Sequence, residues 1–86
     1  MTSFKINSCE IQDGDVTSVN VTIKANNSEL TEDILVASTQ ADFIVKQIAL
    51  CAKAAESEDE TYYGSADSLI SSSFTELPLG EEITLV

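Results

Sequence analysis

The 86-residue chain contains no histidine, no arginine and no tryptophan, with one proline, three glycines and two cysteines. Each shortage excludes something. Without histidine the commonest general base and transition-metal ligand are missing; without arginine, so is the usual bidentate clamp for phosphate or carboxylate. A serine or cysteine nucleophile has no imidazole to activate it, which leaves lysine or a carboxylate as base, and no motif surrounds either. Cys9 and Cys51 lack the close spacing of a zinc site, and two free thiols are favoured over a disulfide. No glycine-rich phosphate loop occurs. Asp13-Gly14-Asp15 looks like a fragment of a calcium loop, yet the residues after it (VTSVNVTI) supply no EF-hand ligands, so a turn is the better reading. Neither catalysis nor a cofactor or metal is expected.

Positive charge is equally scarce. Four lysines (Lys5, Lys24, Lys46, Lys53) face fifteen Asp and Glu, a formal net charge of -11. The imbalance is uneven: residues 1–53 carry all four lysines and seven acids, net -3, whereas residues 54–86 carry eight acids and no base, net -8. Neutralising a phosphate backbone needs clustered Lys or Arg, so direct nucleic-acid binding is not expected, and a basic protein surface is the natural complement. Long apolar runs are absent too. No stretch approaches the 18 or so apolar residues of a membrane span, and MTSFKINSCE has neither the basic nor the apolar region of a secretory signal, so a cytoplasmic location, in a cell or an infected host, is expected.

What remains is enough for one folded domain spanning residues 1–86. A chain of this size buries only roughly 60 to 65% of the surface its unfolded form exposes. Its apolar fraction of 43% and its β-branched content argue against disorder throughout. In FKINSCEI the apolar positions switch parity between Ile6 and Cys9, which predicts a bulge. Asp13-Gly14 predicts a tight hairpin turn, and Val19, Val21, Ile23 and Ala25 alternate with Asn20, Thr22 and Lys24 as a half-buried strand. Asn26 to Glu29 reads as a second turn. Leu30 to Ala37 fits strand and helix alike, and a third strand is preferred because a lone hairpin needs a further strand for stability.

The stretch from Thr39 to Glu60 is an apolar helical pattern that runs into carboxylates. A helix over about 39–56 is expected, with Thr39 as a hydroxyl N-cap and Asp42 in the first turn. Asp42, Lys46, Lys53 and Glu56 share one stripe with Ala49, and Ile44, Ile48, Cys51 and Ala55 lie opposite. Phe43, Leu50 and Ala54 widen the apolar arc beyond what one sheet face covers. A second, shorter helix is expected over about 66–76 and a short terminal strand from Glu81 to Val86. The expected fold is thus α+β: a small antiparallel sheet of three to four strands in β-β-β-α-α-β order, packed against one main helix and a shorter one, with a mobile acidic loop at 56–64.

Two functional expectations follow. In the first, Glu56, Glu58, Asp59, Glu60, Tyr62 and Tyr63, supported by Asp67, Glu81 and Glu82, recognise a basic partner surface, since carboxylates at a helix C-terminus oppose its dipole and local helix stability does not account for them. Small acidic inhibitors that imitate nucleic-acid charge, many of them encoded by phage or mobile elements, share this size and charge, and the analogy is one of class. In the second, the chain is a structural or assembly protein that self-associates through Phe43, Leu50 and Ala54. A monomer or a homodimer is compatible with both.

Overall fold

The computed structural model describes residues 2–57 and 64–86. Strands β1 (Ser3–Gln12), β2 (Asp15–Ala25) and β3 (Ser28–Leu35) form a meander, helix α1 (Ala41–Ser57) crosses it, and β4 (Glu82–Thr84) closes the chain. All four strands pair antiparallel, in the spatial order β3-β2-β1-β4, so the last strand docks beside the first.

Local chemistry accounts for the meander. Asp13 and Gly14 both have positive φ (54° and 85°), and Gln12 pairs with Asp15, as a two-residue turn of the primed type requires. Asn26 and Asn27 repeat the arrangement at 53° and 63°, with Ala25 opposite Ser28. This second turn is shorter than the sequence suggests, because two asparagines tolerate left-handed backbone and free Ser28 and Glu29 for the next strand. The parity switch in β1 is a register shift between Ile6 and Ser8, where Asn7 is the extra residue. Its Nδ2 donates to Asn20 Oδ1 and Thr22 Oγ1, both at 2.9 Å, and a further shift between Glu10 and Ile11 leads into the turn.

The core lies between one face of the sheet and α1. Phe4, Ile6, Val19, Val21 and Ile23 meet Ile44, Val45, Ile48, Ala49 and Ala52, while Leu69, Ile70 and Leu85 close the end. The opposite face of the sheet is polar. Asn20 Nδ2 donates to Asp33 Oδ1 at 2.9 Å, the Thr22 and Thr31 hydroxyls lie 2.9 Å apart, and Ser3 Oγ donates to Glu82 Oε1 at 2.7 Å.

Four expectations are corrected. The second helix is only a 3-10 turn at Ala66–Ser68, with Ser65 Oγ accepting from Asp67 N; beyond it Leu69, Ile70, Phe74 and Leu77 pack on the core as irregular chain. Its serine-rich sequence offers the backbone side-chain partners that compete with helix bonds. At the start of α1 the first helical bond is Ile44 N to Gln40 O at 3.0 Å, so Gln40 rather than Thr39 holds the cap position, and Ser38 Oγ accepts from Gln40 N at 3.1 Å. The buried face of α1 is rotated from the predicted one: Ala49 is fully buried while Ala55 is exposed, because the C-terminal segment packs over the side that bears Asp42, Lys46 and Ala49. The helix also continues through Ser57 into the stretch expected to be loop.

Candidate acidic interface

Strand β3 is an edge. It runs for eight residues without a register shift, proline or lysine, and it carries three acids, Glu29, Glu32 and Asp33. Edge strands of soluble proteins are usually blunted by those very devices, so this one is undefended except by negative charge. The two-residue turn at Asn26-Asn27 makes Ala25 and Ser28 a hydrogen-bonded pair, and the alternation of an antiparallel ladder then aims the amides of Ser28, Leu30, Glu32 and Ile34 at β2. Those of Glu29, Thr31, Asp33 and Leu35 point away from the sheet. Val36 N donating to Thr17 O at 3.2 Å continues the same alternation.

Side chains divide by the same parity. Glu29, Thr31, Asp33 and Leu35 share the polar face of the sheet with Lys24, Thr22, Asn20 and Ser18, their register partners. Leu30, Glu32 and Ile34 lie on the helix side, where Ile34 is half-buried and Leu30 is 53% exposed. Glu32 reaches Cys51 electrostatically there. Burial pushes the Cys51 thiol up, and the Glu32 charge pushes it further. Gln47 closes the far end of the edge: its Nε2 donates to Leu35 O and its Oε1 accepts from Ala37 N, each at 2.9 Å.

At the near end, Asn26 Nδ2 donates to Glu56 O at 2.9 Å and Ala55 O at 3.5 Å, which satisfies carbonyls that a helix C-terminus leaves orphaned. The turn that starts β3 is thereby pinned to the end of α1.

Of the residues singled out from sequence, Glu58, Asp59, Glu60, Tyr62 and Tyr63 lie outside the described residues. Glu56 is tied into the fold: Lys53 Nζ donates to its Oε1 at 2.7 Å and the Thr2 hydroxyl donates to Oε2, and these partners, the lysine foremost, hold its carboxyl below the usual range. Asp67 pairs with Lys46 at 2.8 Å, and Lys46 pairs with Asp42 at 2.9 Å. Hydrogen bonds to Asp67 and Asp42 push Lys46 up to about 12, and the Lys46 ammonium in turn lowers Asp42, whose Oδ1 also accepts from Phe74 N at 3.3 Å. Glu82 bonds Ser3 on the polar face, beside Lys5 in the register, and Glu81 is exposed just before β4. Phe43 is 54% exposed, and Leu50 and Ala54 are half-buried along the same side of α1.

These acids do not form one cluster. Lys46 and Glu56 are ten residues apart on α1, about 15 Å at 1.5 Å per residue. Charge counted by chain thirds missed Glu29, Glu32 and Asp33, because Lys5 and Lys24 in neighbouring strands masked them. The usable signal was the last strand of a meander bearing three acids and no base. Among the described residues no group of three or more Cys, Asp or Glu could hold a metal, and no helix is long and apolar enough to cross a membrane. No protein-family model, curated protein or solved structure matches the chain.

Proposed function

We propose that the chain is a protein-binding protein whose carboxylates occupy a basic groove of a partner, as an inhibitor imitating nucleic-acid charge does. The observation that carries this reading is the edge strand itself, which sets Glu29, Glu32 and Asp33 along one border of the sheet with no lysine on the same strand. The one base in the neighbouring strand is Lys24, opposite Glu29 in the register. Such a surface attracts a basic partner quickly and with strong salt dependence. Glu56 and Asp67 serve the fold in this reading, and Glu29, Glu32 and Asp33 take their place. The test is capture from lysate at about 50 and 300 mM salt, a range over which screening reaches charges within about one Debye length. Proteins with basic surfaces held at low salt and released at high salt are expected; partners retained equally at both, or none above background, contradict the proposal.

A second reading has its own observation. Phe43 is an aromatic ring on a side of α1 bounded by Ala37, Gln47, Leu50 and Ala66, and it remains 54% exposed. Self-association there gives a dimer that strengthens with protein concentration, is indifferent to salt and is lost in F43S. Sedimentation of both proteins at two salt concentrations separates this outcome from charge-driven binding.

A further inference from the structure

The outward amides of β3 specify more than charge. Among the described residues, neither the N–H nor the C=O of Glu29, Thr31 or Asp33 has a hydrogen-bond partner beyond β3, while the one outward carbonyl that is occupied, Leu35 O, is held by an amide. Gln47 is therefore instructive. Its side chain donates to Leu35 O and accepts from Ala37 N, so one amide satisfies two outward-facing backbone groups at the end of the edge. The protein satisfies this end of the edge with one side chain and, among the described residues, leaves the outward backbone groups of Glu29, Thr31 and Asp33 unpaired.

We infer that this edge accepts an extended basic segment of a partner protein as a fifth strand, antiparallel to β3. This rests on the charge reading above and adds a backbone requirement to it. A second copy of the chain is the poorer occupant, because its strand brings three more acids and no base to an edge that already carries three. Antiparallel pairing of β3 with itself about Thr31 sets Glu29 against Asp33 twice, and pairing about Glu32 sets that residue against itself; like charges directly opposite are destabilising. A basic strand reverses the sign at the same positions.

The register dictates the segment. Residues opposite Asp33, Glu32, Thr31, Leu30 and Glu29 come in that order along the incoming strand. The first and fifth face Asp33 and Glu29 on the polar side of the sheet and are cationic. The second meets Glu32 on the helix side and is cationic too. The third faces Thr31 and is β-branched, and the fourth lies against half-exposed Leu30 and is apolar. The sequence Arg-Arg-Thr-Val-Arg within a short blocked peptide satisfies every position. Its first, third and fifth residues turn their amides toward β3, and its second and fourth turn theirs to solvent.

The experiment uses the wild-type protein and three blocked peptides of equal charge: the plain sequence, one N-methylated at the third residue, and one N-methylated at the fourth. Binding is followed by amide chemical shifts and hydrogen exchange. Strand addition predicts that the plain and fourth-residue peptides bind alike and slow exchange at Glu29, Thr31 and Asp33. It also predicts that the third-residue peptide binds at least about tenfold more weakly, the loss of one inter-strand bond plus a steric clash. Equal affinity for all three, without protection of those amides, overturns the inference and leaves charge recognition standing. Binding of none overturns both. Protection of the same amides in the free protein, rising with its concentration, assigns the edge to a second copy and overturns the inference as well.

Discussion

Gln47 and Leu35 are joined across the gap between α1 and β3 by a 2.9 Å hydrogen bond from the Gln47 amide to the Leu35 carbonyl, and the same side chain accepts from Ala37 N. One amide therefore fixes where the edge strand stops. The Q47L variant keeps the volume and loses both bonds. It is expected to lose about 1 kcal/mol of stability and to speed exchange at Ala37, with exchange in the centre of β2 following only the global change. Unchanged exchange at Ala37 would contradict the assignment.

Ala49 separates the observed helix orientation from the one its sequence suggests. On the polar stripe a larger residue would be tolerated; at a fully buried position it is not. The A49L variant is expected to cost about 1 to 3 kcal/mol in denaturant unfolding, with early exposure of the segment around Leu69 and Phe74. A change within about 0.5 kcal/mol, as at an ordinary surface site, would restore the sequence-based orientation.

The strands, the first primed turn and the bulge were legible because short-range chemistry decides them: Asp13-Gly14 needs left-handed backbone, and the switch from Ile6 to Cys9 needs an extra residue. The second turn was legible in place but not in length, since Asn26 and Asn27 alone make it. The rotation of α1 was not legible, since alanine fits either face and the burial of Ala49 depends on a segment some twenty residues later. The second helix failed for a related reason. Leu69, Ile70, Phe74 and Leu77 have helical spacing, but irregular chain buries them equally well once serines satisfy the turn. Glu56 looked costly at a helix C-terminus, and its partners Thr2 and Asn26 lie more than 25 residues away in sequence. The acidic edge was hidden for the same reason, as edges belong to sheets and not to strands.

Two carboxylates link stability to pH. Asp42 and Glu56 both have lowered folded-state values, so the stability they add is present above their unfolded values, about 3.9 and 4.3, and is lost as pH falls through the lower folded ones. Denaturant midpoints are expected to be level from neutral pH to about 5 and then to decline. The K46M variant removes the main partner of Asp42 and should flatten part of that decline, while exchange at Phe74 N quickens. An acid profile identical to wild type would show that the Asp42 pair contributes nothing.

Glu32 is placed on the helix side by register alone, and Cys51 reports on it. The E32Q variant in a C9S background removes the charge that helps raise the Cys51 thiol, so alkylation at mildly alkaline pH should quicken by about twofold. An unchanged rate would place Glu32 away from the thiol.

The central claim is that the β3 acids, rather than net charge alone, recognise a basic partner. It is tested by the dissociation constant of the Arg-Arg-Thr-Val-Arg peptide across about 50 to 300 mM salt for wild type, E29Q/E32Q/D33N and the equal-charge control E10Q/D15N/E76Q. The edge variant is expected to bind at least about tenfold more weakly at low salt and with a shallower salt slope, and the control to stay within about threefold of wild type. Equal losses in both variants would reduce the interaction to net charge and contradict the account.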